Sequence, residues 1–283
     1  MSNEIMSVPT SSVDQFVNAL ASLEASQRTN IPAPKQVRLN GNEGTFSAMQ
    51  WDAEKKEMTF VPFGDNKNTE WYGTVLFTRY FAQWKFKEKA RFKIRTREFS
   101  TFHEPIELLK IDNENKDAEN ETKTFANYAE FKKAYGVKDQ MTDDIAYPFD
   151  FWCSVYVYVP LQDEVVNYRF KGDTRSNFFD WMNDYKQEGI KHMTELCVRF
   201  GQQEKQMPAR DGQVAKTYFA GTFTTFNKNL EPVMLKIMQS FAYVQSWMKQ
   251  YQNKPDAHAT IEAEAIPTIQ VEQDTIDLDS IPF

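Results

Sequence analysis

Alternation of apolar and polar residues with a period of two runs through much of this chain. It is densest from Trp84 to Phe99, WKFKEKARFKIRTREF, where every odd position from 85 to 97 is basic. Those positions are Lys85, Lys87, Lys89, Arg91, Lys93, Arg95 and Arg97; the even ones include Trp84, Phe86, Ala90, Phe92 and Ile94. As a β-strand the segment places all seven cations on one face, whereas a helix would scatter them round its cylinder. The pattern therefore predicts a basic strand, with a bend or turn partway allowed because thirteen residues exceed the usual strand length. Same-face heads recur about every 6.6 Å, two residues of strand rise, a pitch that suits an extended chain of phosphates. A lysine-blocked sheet edge is the alternative, but it rarely needs seven cations or interleaved aromatics.

A second alternating stretch is FDFWCSVYVYVPLQDEVVNYRFKG. Cys153, Val155, Val157 and Val159 share one strand face; Trp152, Ser154, Tyr156 and Tyr158 share the other. After a turn near Leu161–Glu164, Val166, Tyr168 and Phe170 alternate with Asn167, Arg169 and Lys171. This predicts a hairpin with one aliphatic core side and one side of aromatics and cations. Such tyrosines are either cross-strand partners or, beside Arg169 and Lys171, platforms on which bases stack.

The remaining strands and helices follow from the same patterning. Strands are predicted at VRLN, TFSAMQW, EMTFVPF, WYGTVLFTRYFAQW and PIELLKI, with turns at Asn40-Gly41 and Gly64-Asp65. TELCVRFGQQEKQ and VAKTYFAGTFTTF form a hairpin whose loop region offers Lys205, Arg210 and Lys216. A 3.6-residue period marks a short helix in SSVDQFVNALASLEA, another in FANYAEFKKAYG, and one in DTRSNFFDWMNDYKQEG with Phe178, Trp181, Met182 and Tyr185 inward. The clearest is EPVMLKIMQSFAYVQSWMKQYQNK, with Met234, Ile237, Met238, Phe241, Val244 and Met248 on its apolar stripe. The periodicity ends at Pro255. Three regions result: a helix and linker over 1–34, a body over 35–254, and an acidic tail over 255–283 expected to be disordered. Within the body, 112–147 reads as an insertion and about 231–252 as a C-terminal helix.

Charge sharpens this division. The net charge is −7, from 33 Lys and Arg against 40 Asp and Glu. The tail holds seven acids (Asp256, Glu262, Glu264, Glu272, Asp274, Asp277, Asp279) and no Lys or Arg, and 1–34 holds three acids against Arg28. The body is left with two more bases than acids, so the negative balance belongs to its ends. Such asymmetry points to two separate partners or to one segment screening the other.

Other chemistry is poorly supported. Cys153 and Cys197 make no Cys-x-x-Cys and no disulfide framework, which fits a reducing cytoplasm. No run of about 18 apolar residues could span a bilayer, and the first residues lack the basic and apolar regions of a secretion signal. His103, His192 and His258 have no zinc-ligand spacing, and no Gly-rich loop with a Lys could cradle a nucleotide. No cofactor or metal is expected. Asp143, Asp144, Asp150, Asp163 and Glu164 could build a two-metal nuclease site only without any recognised spacing.

The chain ends in DLDSIPF. Asp277 and Asp279 followed by Ile281, Pro282 and Phe283 resemble the acidic tip of bacterial and bacteriophage single-stranded-DNA-binding proteins, the SSB family. On a tether, such a tip offers a ring and a free carboxylate on one residue to a pocket with a basic rim. The resemblance covers the tip alone; the body is roughly twice the family's usual domain and carries no core motif of it. It implies an α+β body, mainly β with added helices, built as an elaborated five-stranded OB-fold-like barrel. It also implies a non-enzymatic, cytoplasmic protein of a bacterium or phage-infected host that coats single-stranded DNA. The DNA-binding residues are then Trp84, the seven bases from Lys85 to Arg97, Trp152, Tyr156, Tyr158, Arg169 and Lys171. Asp277, Asp279, Ile281, Pro282 and Phe283 would recruit replication, repair or recombination proteins, with self-association a further option. A strand-annealing recombination mediator with the same tip is the alternative; it predicts rings or filaments on DNA.

Overall fold

The computed structural model describes residues 32–52, 55–85, 92–112, 114, 121–138, 145–187, 194, 196–207, 216–226 and 230–253. The expected N-terminal helix, most of the polar stretch after residue 112, and the acidic tail lie outside the described residues.

Strands dominate, as the alternation predicted. Strands β1 (Lys35–Asn40), β2 (Thr45–Asp52) and β3 (Glu57–Pro62) form an antiparallel meander. The 14-residue β4 (Trp71–Trp84) precedes a second meander of β5 (Phe92–Thr96), β6 (Ile106–Asp112) and β7 (Glu121–Phe125). Helix α1 (Tyr128–Tyr135) follows, with Asn127 capping its N-terminus by accepting from the Glu130 N–H at 3.0 Å. A two-strand ladder, β8 (Val137–Lys138) with β9 (Ile145–Ala146), leads into β10 (Phe149–Val159) and β11 (Glu164–Phe170). Then come α2 (Gly172–Gln187), the hairpin β12 (Cys197–Met207) and β13 (Lys216–Phe226), a single 3-10 turn, and α3 (Met234–Asn253).

The strand order is β3-β2-β1-β11-β10-β4-β5-β6-β7, with β12 and β13 branching off β4. β1 lies parallel to β11; the other pairings are antiparallel. β4 organises the whole. Along its length it pairs with β10 on one side, while its other side takes β12 at Trp71–Gly73 and β5 at Gln83. Gly73 sits at the first of these junctions: a Cβ there would come within 2.7 Å of the Tyr158 carbonyl oxygen, so the close approach requires a glycine. Among the described residues the path leaves β3 and β7 as unpaired ends, so the sheet is open. The expectation of a mainly β protein of the α+β class stands.

One sheet face carries the main core. Val37, Phe46, Trp71, Val155, Val157, Tyr168 and Phe200 are buried there, with Trp71 stacked on Phe200 at 3.8 Å and 6°. Helix α2 presses Phe178, Trp181 and Tyr185 into this cluster, as its stripe predicted, and Phe178 meets Phe223 at 5.0 Å. The opposite face is covered over part of its area by α3. Ile237, Val244, Trp247 and Met248 pack there on Leu76, Tyr156 and Tyr158. Met234, expected on the buried stripe, is exposed because the stripe begins one turn later.

The predicted basic strand does turn partway, so one continuous rail of seven cations requires correction. β4 ends at Trp84, β5 starts at Phe92, and the two are antiparallel, with Gln83 opposite Arg95. The chain reverses within the basic stretch. A period of two describes each arm equally well, so alternation alone could not reveal the reversal.

Candidate nucleic-acid interface

The β10–β11 hairpin forms with the predicted two sides. Register places Arg79 of β4, Ser154 of β10 and Arg169 of β11 in one row across three strands. In the neighbouring row Trp152 faces Phe81, their rings nearly parallel at 5.9 Å between centroids. Both rows lie on the face opposite the main core and border the α3 cluster at Phe77, which stacks on Phe241; Ser154 and Phe81 are buried there, Arg79, Trp152 and Arg169 half-buried.

The cations of this face are held, not dangling. Arg169 donates from Nη2 to Glu98 Oε1 at 3.3 Å, and its Cζ lies 5.4 Å from the centre of the Phe81 ring. Its Nε is buried with no acceptor among the described residues. Lys171 meets Asp150 Oδ2 at 3.1 Å and sits 5.0 Å over the Trp152 ring. Arg79 rests 5.8 Å over Phe77. Cation–ring contact leaves guanidinium edges for an anion while fixing the group's direction. A buried donor without an acceptor is costly in a protein interior.

The other expected binding residues are distributed more widely. Trp84 packs into the core, 5.4 Å from the Phe149 ring and 4.9 Å from that of Tyr135. Lys85 is exposed just past the end of β4. Lys87, Lys89 and Arg91 lie outside the described residues. Lys93, Arg95 and Arg97 do alternate onto one face, that of Gln83, but Arg95 is only 4% exposed and Arg97 bonds Glu107 at 2.7 Å. These three continue the basic face without forming a free rail.

Tyr156 and Tyr158 point to the predicted side and are buried there. Tyr156 is fully covered, 5.9 Å from Trp247, and donates to Glu98 Oε2 at 2.8 Å. Burial, reinforced by the Glu98 charge, pushes its hydroxyl far above the ordinary tyrosine range. Tyr158 donates to Asp163 at 3.0 Å, and burial with that bond pushes it up to about 12. Neither ring is open to a base. Tyr156 instead helps hold Glu98, which holds Arg169.

Of the carboxylates considered for a metal site, Asp150 is paired with Lys171, Asp163 with Lys236 at 2.8 Å and Glu164 with Lys35 at 2.6 Å. Asp143 and Asp144 lie outside the described residues. Among the described residues no group of three or more His, Cys, Asp or Glu is placed to hold a metal ion. No described helix is long and apolar enough to cross a membrane.

Sequence reasoning passed over Arg79, Phe81 and Arg38. The signal was present in β4 as Phe77, Arg79, Phe81 and Gln83 at every second position. What was missing was the pairing that sets them beside β10. Comparison of the chain with protein-family models, curated proteins and solved structures returns no match in any of the three.

Proposed function

We propose that this protein is a non-enzymatic single-stranded-DNA-binding protein. It coats and protects single strands during replication, recombination or repair. One observation carries this reading: the row Arg79–Ser154–Arg169 beside the Trp152–Phe81 pair, in which half-buried Arg79, Arg169 and Trp152 share one sheet face with the buried Ser154 and Phe81. Unpaired strands are held by this combination, phosphates on the bases' cationic neighbours and bases on aromatic planes.

The connectivity supports an OB-type site. β4, β10 and β11 make a meander; α2 follows; β12 and β13 make a hairpin, and β12 returns to pair with β4. Three strands, a helix and a hairpin whose first strand rejoins strand one is the OB order. The β13 end is drawn toward the β1–β2 turn, where the Phe219 N–H donates to the Gly41 carbonyl at 2.6 Å. On this assignment β10 and β11 are the second and third strands, which carry the oligonucleotide face in that fold. Strands β5 to β9 and α1 are then an insertion between the first two strands, and the β1–β3 meander is an addition.

The acidic tip, with Asp277, Asp279, Ile281, Pro282 and Phe283, lies outside the described residues. Its role in recruiting replication, repair or recombination proteins rests on its resemblance to the SSB tip. Fluorescence anisotropy with labelled single- and double-stranded oligonucleotides across a salt series tests the DNA reading. Single strands should bind more tightly. If Arg79, Arg169 and Lys171 each neutralise one phosphate, log K should fall with log salt at a slope near −2, about −0.7 per contact. Equal affinity for duplex, or a wild-type curve reproduced by Arg169→Ala, would reject it.

A further inference from the structure

The β1–β3 meander is joined to the five-strand unit by a single parallel pairing, and its outer surface continues the basic face. Val37 is paired with Tyr168, and both point into the main core. Arg38 and Arg169, one position beyond that last registered pair, therefore turn to the opposite face of the sheet. Arg38 lies with Cζ 3.3 Å from the centre of the Phe60 ring. Its Nε is buried with no acceptor among the described residues. Burial without a compensating charge pulls its pKa downward.

Beyond Arg38 the same face carries more rings. Arg38 is opposite Ser47 of β2; Met49 is opposite Phe60 of β3, and Trp51 is opposite Met58. Ser47, Met49 and Trp51 share one strand face because side chains alternate. Trp51 is 47% exposed, a large apolar ring left in solvent at the end of the meander. From β4 to β3 the face crosses five strand gaps, roughly 24 Å. Along it stand three guanidinium groups that each lie over a ring: Arg79 on Phe77, Arg169 on Phe81 and Arg38 on Phe60. An isolated exposed tryptophan is ordinary, but one beyond a half-buried arginine whose Nε has no acceptor among the described residues, on the face proposed to bind DNA, is not.

We propose that the β1–β3 meander extends the single-stranded-DNA track past the five-strand unit, with Arg38 holding a phosphate and Trp51 stacking a base. This rests on the DNA-binding reading above. It makes the strand run across the sheet, from β4 over β10 and β11 to β1 and then along β2. The meander then sets how many nucleotides one protein covers.

Oligo-dT of stepped length, titrated into the full-length wild-type protein and into Arg38→Ala, Trp51→Ala, Trp51→Phe and Arg169→Ala, tests the extension. Wild-type affinity should rise with length and then level off. Trp51→Ala and Arg38→Ala should bind the shortest oligomers as wild type does, lose about tenfold on the longest, and level off at a shorter length. Arg38→Ala should also make the salt slope shallower by about 0.7, one phosphate contact. Trp51→Phe should restore most of the loss, which a merely structural role would not predict. Trp51 is exposed, so its variants should melt as wild type does and carry the test if Arg38→Ala proves unstable. Wild-type length dependence in both Trp51→Ala and Arg38→Ala, with weakened binding in Arg169→Ala, would overturn the extension alone. Failure of the wild-type protein to bind, or an unaffected Arg169→Ala, would overturn the underlying site and the extension with it.

Discussion

Two ends of the same strands behave differently. On β10, half-buried Trp152 and buried Ser154 stand among Arg79, Arg169 and Lys171, while Tyr156 and Tyr158, next in the same alternation, lie under α3. The side chains point the same way at both ends. Their fates diverge because Ile237, Val244, Trp247 and Met248 supply an apolar cover at one end only. At the covered end the tyrosine hydroxyls turn to Glu98 and Asp163, as buried polar groups must. At the other end the rings keep cations over their faces. Direction along a strand is a local property; cover is not.

The sharpest way to break this contrast is Trp247→Ala. It removes a buried ring from the α3 cluster and should cost about 3–5 kcal/mol of stability by denaturant titration. DNA affinity should be retained wherever the variant remains folded. Tighter binding would mean that α3 competes with DNA for Tyr156 and Tyr158, and the two ends would be one site.

Trp152→Ala should act in the opposite sense, weakening single-strand binding by about 1–3 kcal/mol, the usual worth of one base–aromatic stack. Its stability should fall less than that of Trp247→Ala. A larger loss of stability than of binding would assign Trp152 to the core.

Tyr158→Phe deletes one hydroxyl under α3. It should cost about 1 kcal/mol of stability, one hydrogen bond, with DNA affinity unchanged in the same anisotropy assay.

The smallest effect belongs to the junction of α2 with the β12–β13 hairpin. Asp173 at the start of α2 binds Lys205 at 2.8 Å and Tyr218 at 2.6 Å, tying the helix to the β12–β13 hairpin. Burial opposes its ionisation, but those two bonds outweigh it and hold the carboxyl below its ordinary range. Its stabilisation is therefore complete above the unfolded value of about 3.9 and is lost as pH falls through the lower folded value. Asp173→Asn should melt below wild type at pH 7, and the gap should close under acid. A gap constant from pH 7 to 3 would show that the carboxylate charge contributes nothing.

Much of the architecture was legible in the pattern of residues. The β10–β11 hairpin, the β12–β13 hairpin, the α2 stripe of Phe178, Trp181 and Tyr185, and α3 all arise where local periodicity and burial agree. Arg169, Lys171 and Trp152 were legible as one cationic and aromatic side because they share a single hairpin. Arg79, Phe81 and Arg38 were not, since they reach that side only through pairings between segments far apart in the chain.

By itself the sequence determined which residues of each strand share a face, where the helices run, and that the body is mildly basic while its end is acidic. These follow from bond geometry and charge, which act over a few residues. Only the tertiary structure decided that the basic stretch reverses between β4 and β5, that α3 covers Tyr156 and Tyr158, and that β1 lies beside β11 and so puts Arg38 on the same sheet face as Arg169. Those outcomes depend on which distant segments bury one another's apolar faces. That competition is settled across the whole fold, and no window of residues contains it.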